Sequence, residues 1–502
     1  MSTLKLAESE PRNPGDPDAY LRGLLDTQRR AYTAEGSPSW AVRVDRLDRL
    51  AASLLDSSQE IAEAIRDDFG RRPLAASLAG EIAVTIRDIE YQRSHLKTWL
   101  RPNRPQPRYL RWAGINAWVE PQPLGVVGVI APWNFPVALA LQPVAAALSA
   151  GNRVMVKMSE LTPRTAETVR AAIAGQFAAD ELVVVVGDAS VAAEFSKLPL
   201  DHIFFTGGTD IGRQVQRAAA ANLVPVTLEL GGKNPVVVAA DADLAVAARR
   251  VMGARLANSG QLCQCPDYVF VPRAVHDRFV DACVAAVRTS LPSIASNPDY
   301  CTIINDRHFS RVVGLVADAR DKGARVLEVI PDGESLPNAV TRVIPPTLVT
   351  HVHDDMKLMQ EEIFGPVLAV LPYDRIDEAS DYINERPTPL GAYWFGGDTP
   401  DFKRFRARTR SGGVTRNDFA LHCALDGLPC GGVGASGTGY YHGKFGFETF
   451  SHLRAVAEAP SRFSPTALLS PPFPRKMEDY VRSFLRWQQR KYRKRLQRNG
   501  SA

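Results

Sequence analysis

From Leu124 onward, short apolar runs alternate with stretches of helical periodicity, and this alternation constrains the fold more than any other feature. Because strands that alternate with helices form βαβ units, the pattern predicts a parallel sheet with helices on its faces. The predicted strands of this series are Val126–Ala131, Val154–Lys157, Leu182–Val186, His202–Thr206 and Val226–Leu230. The helices predicted between them are Thr165–Ala179, Ser190–Lys197 and Ile211–Ala221.

A second series of strands and helices begins near Asn234, and residues 19–100 have helical periodicity. A chain of 502 residues is too long for one ordinary core, so two α/β domains in series are expected. The second series includes the strands Val236–Ala239, Tyr268–Pro272 and Val367–Pro372 and the helix Ala274–Val287.

The composition excludes several classes of protein. There is no run of 18 or more apolar residues, so no transmembrane helix is predicted. The polar segment Met1–Asp18 lacks the basic and apolar regions of a secretory signal. Six cysteines in so long a chain do not make a disulfide framework, so a reducing, cytoplasmic compartment is expected.

The positive charge is concentrated at the C-terminal end. The net charge is +5, yet the segment Arg475–Arg498 alone contains ten Lys and Arg residues and two acids. The rest of the chain is therefore about neutral, which argues against nucleic-acid binding by the body of the protein.

A carboxylate and a cysteine in glycine turns suit covalent catalysis. Glu229 begins Glu-Leu-Gly-Gly-Lys, and Cys263 ends Gly-Gln-Leu-Cys. A thiolate can attack a carbonyl, and a base can then deliver water to the covalent intermediate. Such a base should have limited exposure and a raised pKa. A buried structural cysteine is the ordinary alternative, and a metal site with Cys265 lacks a second Cys/His pair, so no metal is predicted.

The segment Pro132-Trp133-Asn134-Phe135-Pro136 predicts a rigid turn. Such a turn can present one side-chain amide before charge develops, as an oxyanion hole requires. An asparagine that caps a helix is the alternative, and both interpretations are compatible.

Three further motifs are typical of a dinucleotide site. Gly207 to Gly212, with the sequence Gly-Gly-Thr-Asp-Ile-Gly, follows a strand and opens a helix, where backbone N–H groups and the helix N-terminus favour a phosphate. Lys157 and Glu160 end another strand, and Glu362 and Phe364 lie in Glu-Glu-Ile-Phe-Gly-Pro. A plain turn or an exposed ion pair is the alternative for each motif alone.

Together these motifs resemble the aldehyde dehydrogenase superfamily over about residues 40–457, and Cys-Gln-Cys-Pro-Asp-Tyr after Leu262 is similar to its coniferyl aldehyde dehydrogenase-like, class 3 branch. The resemblance implies an α/β fold with a Rossmann-type NAD domain, an α/β catalytic domain and a small β oligomerisation bridge. The implied boundaries are 19–107 and 121–230 for the NAD domain, 231–430 for the catalytic domain, 108–120 and 439–457 for the bridge, and 458–502 for a basic tail.

The resemblance also implies the role of each site residue. Cys263 would be the nucleophile, Glu229 the base and Asn134 the oxyanion donor with the N–H of Cys263. Lys157 and Glu160 would hold the adenosine ribose. Glu362 would hold the nicotinamide ribose, and Phe364 would pack beside the ring. The phosphate turn would consist of Gly207, Gly208, Thr209, Asp210, Ile211 and Gly212.

The implied reaction is the NAD-dependent oxidation of an aldehyde to a carboxylic acid through a cysteine thiohemiacetal and thioester. NAD is expected in preference to NADP because the carboxylate of Glu160 would repel a 2′-phosphate. Aromatic, cinnamyl (such as coniferyl) and medium-chain aliphatic aldehydes all remain open. Cys430 replaces a phenylalanine common near the substrate tunnel of relatives, which weakens inference about the substrate. A CoA-acylating enzyme and a non-catalytic scaffold are the alternatives. A homodimer is implied.

Two hypotheses concern residues outside this scheme. The tail combines an apolar helical face with many basic residues, which predicts either weak contact with an anionic membrane surface or packing on the protein's own body. Cys263, as a low-pKa thiolate with Cys265 nearby, suggests redox sensitivity. The apolar face of the tail consists of Met477, Tyr480, Val481, Phe484, Leu485 and Trp487.

Overall fold

The computed structural model describes residues 16–106, 111–112, 114–461, 470–474 and 476–499. The chain divides into two compact units, one made of residues up to 100 and 121–452, the other of residues 101–120 and from 453 onward. The α-helices of the described residues are Pro17–Glu35, Trp40–Asp56, Ser58–Phe69, Leu74–Ser77, Val84–Trp99, Ala138–Ala150, Pro163–Ala174, Ala189–Ser196, Thr209–Ala220, Leu244–Leu256, His276–Ser290, Asp306–Asp321, Lys357–Gln360, Ile376–Asn384, Pro400–Arg408, Leu421–Ala424, Gly443–Thr449 and Met477–Asn499.

Fifteen β-strands in the described part of the chain form three sheets. Numbered along the chain, they are β1 (Asn116–Pro123), β2 (Val126–Ile130), β3 (Arg153–Lys157), β4 (Leu182–Val185), β5 (His202–Gly207), β6 (Val226–Leu230), β7 (Asn234–Val238), β8 (Pro266–Pro272), β9 (Arg325–Glu328), β10 (Thr347–Thr350), β11 (Val367–Tyr373), β12 (Gly391–Phe395), β13 (Gly413–Arg416), β14 (Gly437–Thr438) and β15 (Ser451–Glu458).

The first predicted series forms a six-stranded sheet in the order β14-β6-β5-β2-β3-β4. All neighbours are parallel except β14, which runs antiparallel to β6 and places Gly437 opposite Glu229. The predicted parallel sheet is confirmed. Its strands β2 and β3 are buried along their whole length, which explains why β2 and the centre of β3, Val154–Val156, are apolar without alternation.

The second predicted series forms a seven-stranded sheet in the order β13-β12-β7-β8-β11-β10-β9. It is parallel except for the pair β10–β9. The strands predicted from Val236, Tyr268 and Val367 are its central members β7, β8 and β11. Parallel sheets align the carboxyl ends of their strands, and ligands of open α/β sheets bind at that edge.

The predicted helical region before residue 100 is confirmed. Its helices bury one apolar face, which includes Leu47, Leu50 and Leu54, in the same core as β2 and β3. The oxygen of Ser39 caps the helix Trp40–Asp56 by accepting from the N–H of Val42. Residues Leu78–Ala83 form a π-helical turn, a feature that is often found at functional sites.

The second unit contains a two-stranded sheet of β1 and β15 and the helix Met477–Asn499. Within the segment 439–457 predicted for the bridge, Gly443–Thr449 is a helix of the first unit and the strand begins at Ser451. Parts of four predicted segments lie outside the described residues: 107 of the NAD domain, 108–110 and 113 of the bridge, 462–469, 475 and 500–502 of the tail, and 1–15 of the N-terminal segment. None of the described helices is both long and apolar enough to cross a membrane.

Candidate active site

Glu229 lies near the end of β6, and its side chain is buried. The backbone N–H of Gly432 donates to its carboxylate, and Oε1 has no hydrogen-bond partner among the described residues. Burial raises the pKa of Glu229 well above its usual value. The predicted low exposure and raised pKa are confirmed. A desolvated carboxylate with one free oxygen can accept a proton from water.

Cys263 follows an unusual turn. Three consecutive residues, Asn258, Ser259 and Gly260, have positive φ angles of 48°, 52° and 75°. Backbone strain of this kind persists only where the surroundings over-determine it, and it clusters at functional sites. Glycine is required at position 260 for two reasons. The φ angle there is positive, and a Cβ would lie 2.2 Å from the carbonyl oxygen of Gly365. Asn234 stabilises the turn, because its Nδ2 donates to the carbonyl oxygen of Cys263 at 2.7 Å.

The thiol of Cys263 is partly exposed and lies among acidic groups. Desolvation, then the charges of Glu362 and Glu229, raise its pKa to about 12, while the N–H groups of Cys263 and Gln264 act in the opposite direction. The hypothesis that Cys263 has a lowered pKa is therefore wrong. The charges of Glu229 and Glu362 both act on the Cys263 thiol, so the two carboxylates lie within electrostatic range of it.

Asn134 is buried next to the cysteine turn. Its Nδ2 donates to the carbonyl oxygen of Gln261 at 3.1 Å, two residues before Cys263. The backbone carbonyl oxygen of Asn134 accepts from Nδ2 of Asn258 at 3.2 Å. The second N–H of the Asn134 amide is left for another acceptor, so the predicted amide donor is fixed beside the cysteine before any ligand arrives.

A buried ion pair, which the sequence analysis missed, lies behind Asn134. Arg72 Nη1 donates to the Asn134 carbonyl oxygen at 2.8 Å, and Arg72 Nη2 lies 2.9 Å from Glu81 Oε1. Glu81 Oε2 accepts from the N–H groups of Val137 and Ala138 at 3.0 and 2.9 Å, at the start of the helix Ala138–Ala150. The Arg72–Glu81 pair therefore connects the π-helical turn to the backbone of Asn134 and to the start of the helix Ala138–Ala150. Burial raises the pKa of Glu81, and the Arg72 charge opposes this.

Replacing Glu81 by glutamine is expected to lower the free energy of unfolding by about 3–5 kcal/mol, because the charge of Arg72 would remain buried without its partner. Urea titration would measure this loss. Glu60→Gln, a change of the same kind at an exposed helix position, is the matched control and should change the free energy by less than about 0.5 kcal/mol. A Glu81 variant as stable as the control would show that the ion pair does not hold the loop.

The predicted phosphate turn links β5 to the helix Thr209–Ala220. Gly208 is the N-cap residue, and no side chain caps the helix. The first N–H groups of the helix therefore remain for a ligand. Gly212 lets the helix approach β6, because a Cβ there would lie 2.7 Å from a methyl group of Leu230. Both observations fit the pyrophosphate of a dinucleotide.

Other residues of this turn face different surroundings. Thr209 Oγ1 donates to the carbonyl oxygen of Ala435 at 3.4 Å. Asp210 is exposed and pairs with Arg213 at 2.6 Å, so its carboxylate is held by its own helix. Ile211 is an exposed apolar side chain at the helix start.

Lys157 and Glu160 form an ion pair at the end of β3, with Nζ 3.8 Å from Oε2. The lysine is buried and also donates to the carbonyl oxygen of Met158 at 2.6 Å, whereas the Glu160 carboxylate is 41% exposed. An ammonium group held in place beside an accessible carboxylate fits the hydroxyl groups of a ribose.

Glu362 and Phe364 lie on the side of the cysteine turn. A Cβ on Gly231 would lie 2.1 Å from Glu362 Oε2, so the glycine turn after Glu229 makes room for this carboxylate. Desolvation and the nearby Asp267 raise the pKa of Glu362 to about 8. The ring of Phe364 packs edge-on against Trp133, with centroids 5.4 Å apart.

Two other free cysteines, Cys265 and Cys301, are buried in the core. Cys265 is buried, and its sulfur lies 3.3 Å from Arg255 Nη1 and 3.6 Å from the Ala254 carbonyl oxygen. Cys301 is buried, with its sulfur 3.2 Å from Asn258 Oδ1. Within the described residues, no group of three or more His, Cys, Asp or Glu side chains is arranged to hold a metal ion.

Comparisons with known proteins point in one direction. A sequence profile described as the aldehyde dehydrogenase family matches residues 24–456. A relative from Caulobacter vibrioides, named a probable coniferyl aldehyde dehydrogenase, is 46% identical over 466 residues, which cover 92% of this chain and 96% of the relative.

Solved structures agree with this match. The chain is similar to one described as the substrate-bound state of Staphylococcus aureus AldH, with a TM-score of 0.86, 33% identity, and coverage of 93% of this chain and 99% of that one. It is also similar to the NAD-dependent aldehyde dehydrogenase from Sinorhizobium meliloti, with a TM-score of 0.79, 28% identity, and coverage of 89% and 88%.

Proposed function

This chain belongs to the aldehyde dehydrogenase family and is an oxidoreductase that oxidises aldehydes with a nicotinamide cofactor; from this premise we propose that Cys263, Glu229 and Asn134 carry the reaction. The observation that carries the proposal is that the buried carboxylate of Glu229, with one oxygen free, lies within electrostatic range of the Cys263 thiol.

Each residue has a distinct step. The thiol of Cys263 loses its proton to water and its sulfur adds to the aldehyde carbonyl, while the Asn134 amide and the N–H of Cys263 stabilise the oxyanion of the thiohemiacetal. Loss of a hydride to the bound nicotinamide would convert the thiohemiacetal into a thioester, and a water molecule whose proton Glu229 accepts then hydrolyses that thioester. The water oxygen bonds to the acyl carbon, the carbon–sulfur bond breaks, and the carboxylic acid leaves.

The cofactor would lie between the phosphate turn and the cysteine turn. The helix N-terminus at Gly208 would hold the pyrophosphate, Lys157 and Glu160 the adenosine ribose, and Glu362 the second ribose beside Phe364. The nicotinamide ring, when bound, accepts the hydride from the oxidised carbon.

We propose NAD rather than NADP as the preferred cofactor, because the accessible Glu160 carboxylate would meet the 2′-phosphate. Glu160→Gln should raise kcat/KM for NADP relative to NAD by roughly tenfold, since it removes a repulsion of about 1.4 kcal/mol between like charges near the surface. Glu167→Gln, on the next helix, is the control and should leave the ratio unchanged. Wild-type protein with a higher kcat/KM for NADP would contradict the proposal.

We propose an aromatic or cinnamyl aldehyde, such as coniferyl aldehyde, as the substrate. The support is the extensive similarity to a relative named for coniferyl aldehyde. NADH absorbance with a panel of aromatic, cinnamyl and medium-chain aliphatic aldehydes, with and without CoA, tests both substrate and acceptor. A higher kcat/KM for aliphatic aldehydes would contradict the substrate proposal, and a product that depends on CoA would contradict hydrolysis by Glu229.

Assembly and location follow as further proposals. We propose a homodimer in the cytoplasm, supported by the bridge that the family resemblance implies and by the small number of cysteines for a chain of this length. Analytical ultracentrifugation at several protein concentrations and cell fractionation are the corresponding measurements. A monomer, or enzyme found outside the cytoplasm, would contradict them.

The helix Met477–Asn499 supports weak contact with an anionic membrane surface. Apart from the half-buried Met477, the side chains of its apolar face are exposed, from 40% for Val481 to 75% for Tyr480, and Arg482 pairs with Glu478 of the same helix. Each Lys or Arg near an anionic surface contributes about 1 kcal/mol.

Full-length protein is expected to co-sediment with phosphatidylserine-containing vesicles at low salt and to be released at high salt. A chain that ends at Pro460 should stay in solution and keep its activity. Phosphatidylcholine vesicles are the control for apolar contact alone. Binding that persists after truncation would contradict the membrane proposal, and loss of activity would show that the tail supports the body instead.

A further inference from the structure

A disulfide joins Cys423 and Cys430, seven positions apart in the sequence, with the two Cα atoms 4.7 Å from each other. It closes a surface loop in which Leu425 and Leu428 are 53% and 43% exposed. Cys423 is partly exposed, whereas Cys430 is buried. The sequence analysis did not expect a disulfide in this chain.

The Cys423 end of the disulfide adjoins the candidate nucleophile. Gln264, the residue directly after Cys263, donates from Nε2 to the sulfur of Cys423 at 3.0 Å. The hydroxyl of Tyr393 fixes Gln264 by donating to its backbone carbonyl oxygen at 2.6 Å. The sulfur therefore accepts from a side chain that is held rigidly beside the catalytic turn.

The Cys430 end leads to the candidate base. The N–H of Cys430 donates to the carbonyl oxygen of Tyr441 at 3.0 Å, and the N–H of Tyr441 donates back at 2.8 Å. Two residues after Cys430, the N–H of Gly432 donates to the Glu229 carboxylate. One covalent bond thus joins the segment that contacts Gln264, the neighbour of Cys263, to the segment whose Gly432 contacts Glu229.

We propose that Cys423–Cys430 is a thiol–disulfide exchange site for a dithiol reductant and that its redox state sets the turnover of the enzyme. Disulfides exposed to a reducing compartment are usually transient and redox-sensing rather than structural. The position of the bond, between the partly exposed residue Cys423 and the buried Cys430, whose segment leads to Glu229, distinguishes it from a bond that only stabilises a loop.

The dithiol reduces the Cys423–Cys430 disulfide in two exchange steps. A thiolate of the dithiol attacks the partly exposed Cys423 sulfur, the Cys423–Cys430 bond breaks, and Cys430 leaves as a thiolate that takes a proton. The second thiol of the dithiol then loses its proton and attacks the first dithiol sulfur, which is bonded to Cys423 in the mixed disulfide. Cys423 leaves as a thiolate and is protonated. The dithiol is oxidised to a disulfide, and the protein gains two thiols.

Reduction should act on hydrolysis more than on acylation. Without the bond, the segment from Cys430 to Gly432 has more freedom, and the N–H that orients Glu229 is less well placed. We expect kcat to fall roughly tenfold, less than the hundredfold that a misplacement of about 1 Å can cost. The pre-steady-state burst of NADH should keep its amplitude, because the Cys263 turn retains its own contacts.

The test titrates purified full-length enzyme with mixtures of reduced and oxidised dithiothreitol, counting thiols under denaturing conditions and measuring kcat and burst amplitude in parallel. Four free cysteines and one disulfide predict a rise from four to six thiols. The fall in kcat should follow this rise and reverse on reoxidation. A thiol count that stays at four, or a kcat that does not change as it reaches six, would overturn the proposal.

Variants separate this site from oxidation of Cys263 itself. Cys423→Ser/Cys430→Ser should have the kcat of the reduced enzyme at every dithiothreitol ratio. Cys283→Ser, at a buried free cysteine in the helix His276–Ser290, should respond as wild type does. A double variant that still responds to the titration would place the redox effect at another thiol and overturn the proposal. The wild-type titration remains decisive if the double variant does not fold.

Discussion

Replacing Cys263 by alanine is expected to lower kcat for aldehyde oxidation more than about a thousandfold, because no other group can form the covalent intermediate. Steady-state NADH production with excess aldehyde measures this loss. The protein should remain folded, since the thiol is partly exposed and donates no structural hydrogen bond that the turn requires.

Cys265→Ala is the matched control for this prediction. Its sulfur contacts Arg255 and the Ala254 carbonyl oxygen in the core, so the change should cost about 1–2 kcal/mol of stability and leave most of the activity. An inactive Cys265 variant beside an active Cys263 variant would reverse the assignment.

Replacing Glu229 by glutamine should slow steady-state turnover by about 10²–10⁴-fold, the usual contribution of a general base. Glutamine keeps the shape of the side chain and can still accept from Gly432, but it cannot take a proton from water. Acylation and hydride transfer precede this step, so a burst of NADH close to one equivalent per active site should survive in stopped-flow measurements.

Glu60→Gln again supplies a control with an unchanged burst and unchanged turnover. Equal loss of burst and turnover in the Glu229 variant would show that the carboxylate acts before hydride transfer, for example by taking the proton of the Cys263 thiol. Burial raises the pKa of both groups, and the carboxylates near Cys263 raise the pKa of its thiol further, so this comparison tests whether a proton passes between the two residues.

Much of the fold was predictable from apolar runs, and the reason is physical. Val126–Ile130 and the centre of Arg153–Lys157 are buried on both faces of a parallel sheet, so these stretches are apolar without alternation. The helix after β5 begins at Thr209, two residues before its predicted start, because Thr209 and Asp210 are polar residues of the first turn and periodicity does not detect them.

The supporting contacts of the site could not be read from the sequence. Arg72 and Glu81 look like surface residues in a helical region, and only the fold brings them behind Asn134. Cys423 and Cys430 lack a spacing that distinguishes a disulfide from two core thiols. The pKa of Cys263 depends on the carboxylates of Glu229 and Glu362, which lie 34 residues before it and 99 residues after it. Long-range proximity of this kind leaves no local signal.

The most direct test of the central claim is to trap the acyl-enzyme. Glu229→Gln protein would be mixed with NAD and an aromatic aldehyde, quenched in acid, digested and examined by peptide mass spectrometry. The account predicts an acyl adduct on Cys263, close to one per chain, that is absent when NAD is omitted and absent in the Cys263→Ala/Glu229→Gln double variant. An adduct on Cys265 or Cys301, or no adduct while the NADH burst is intact, would contradict it.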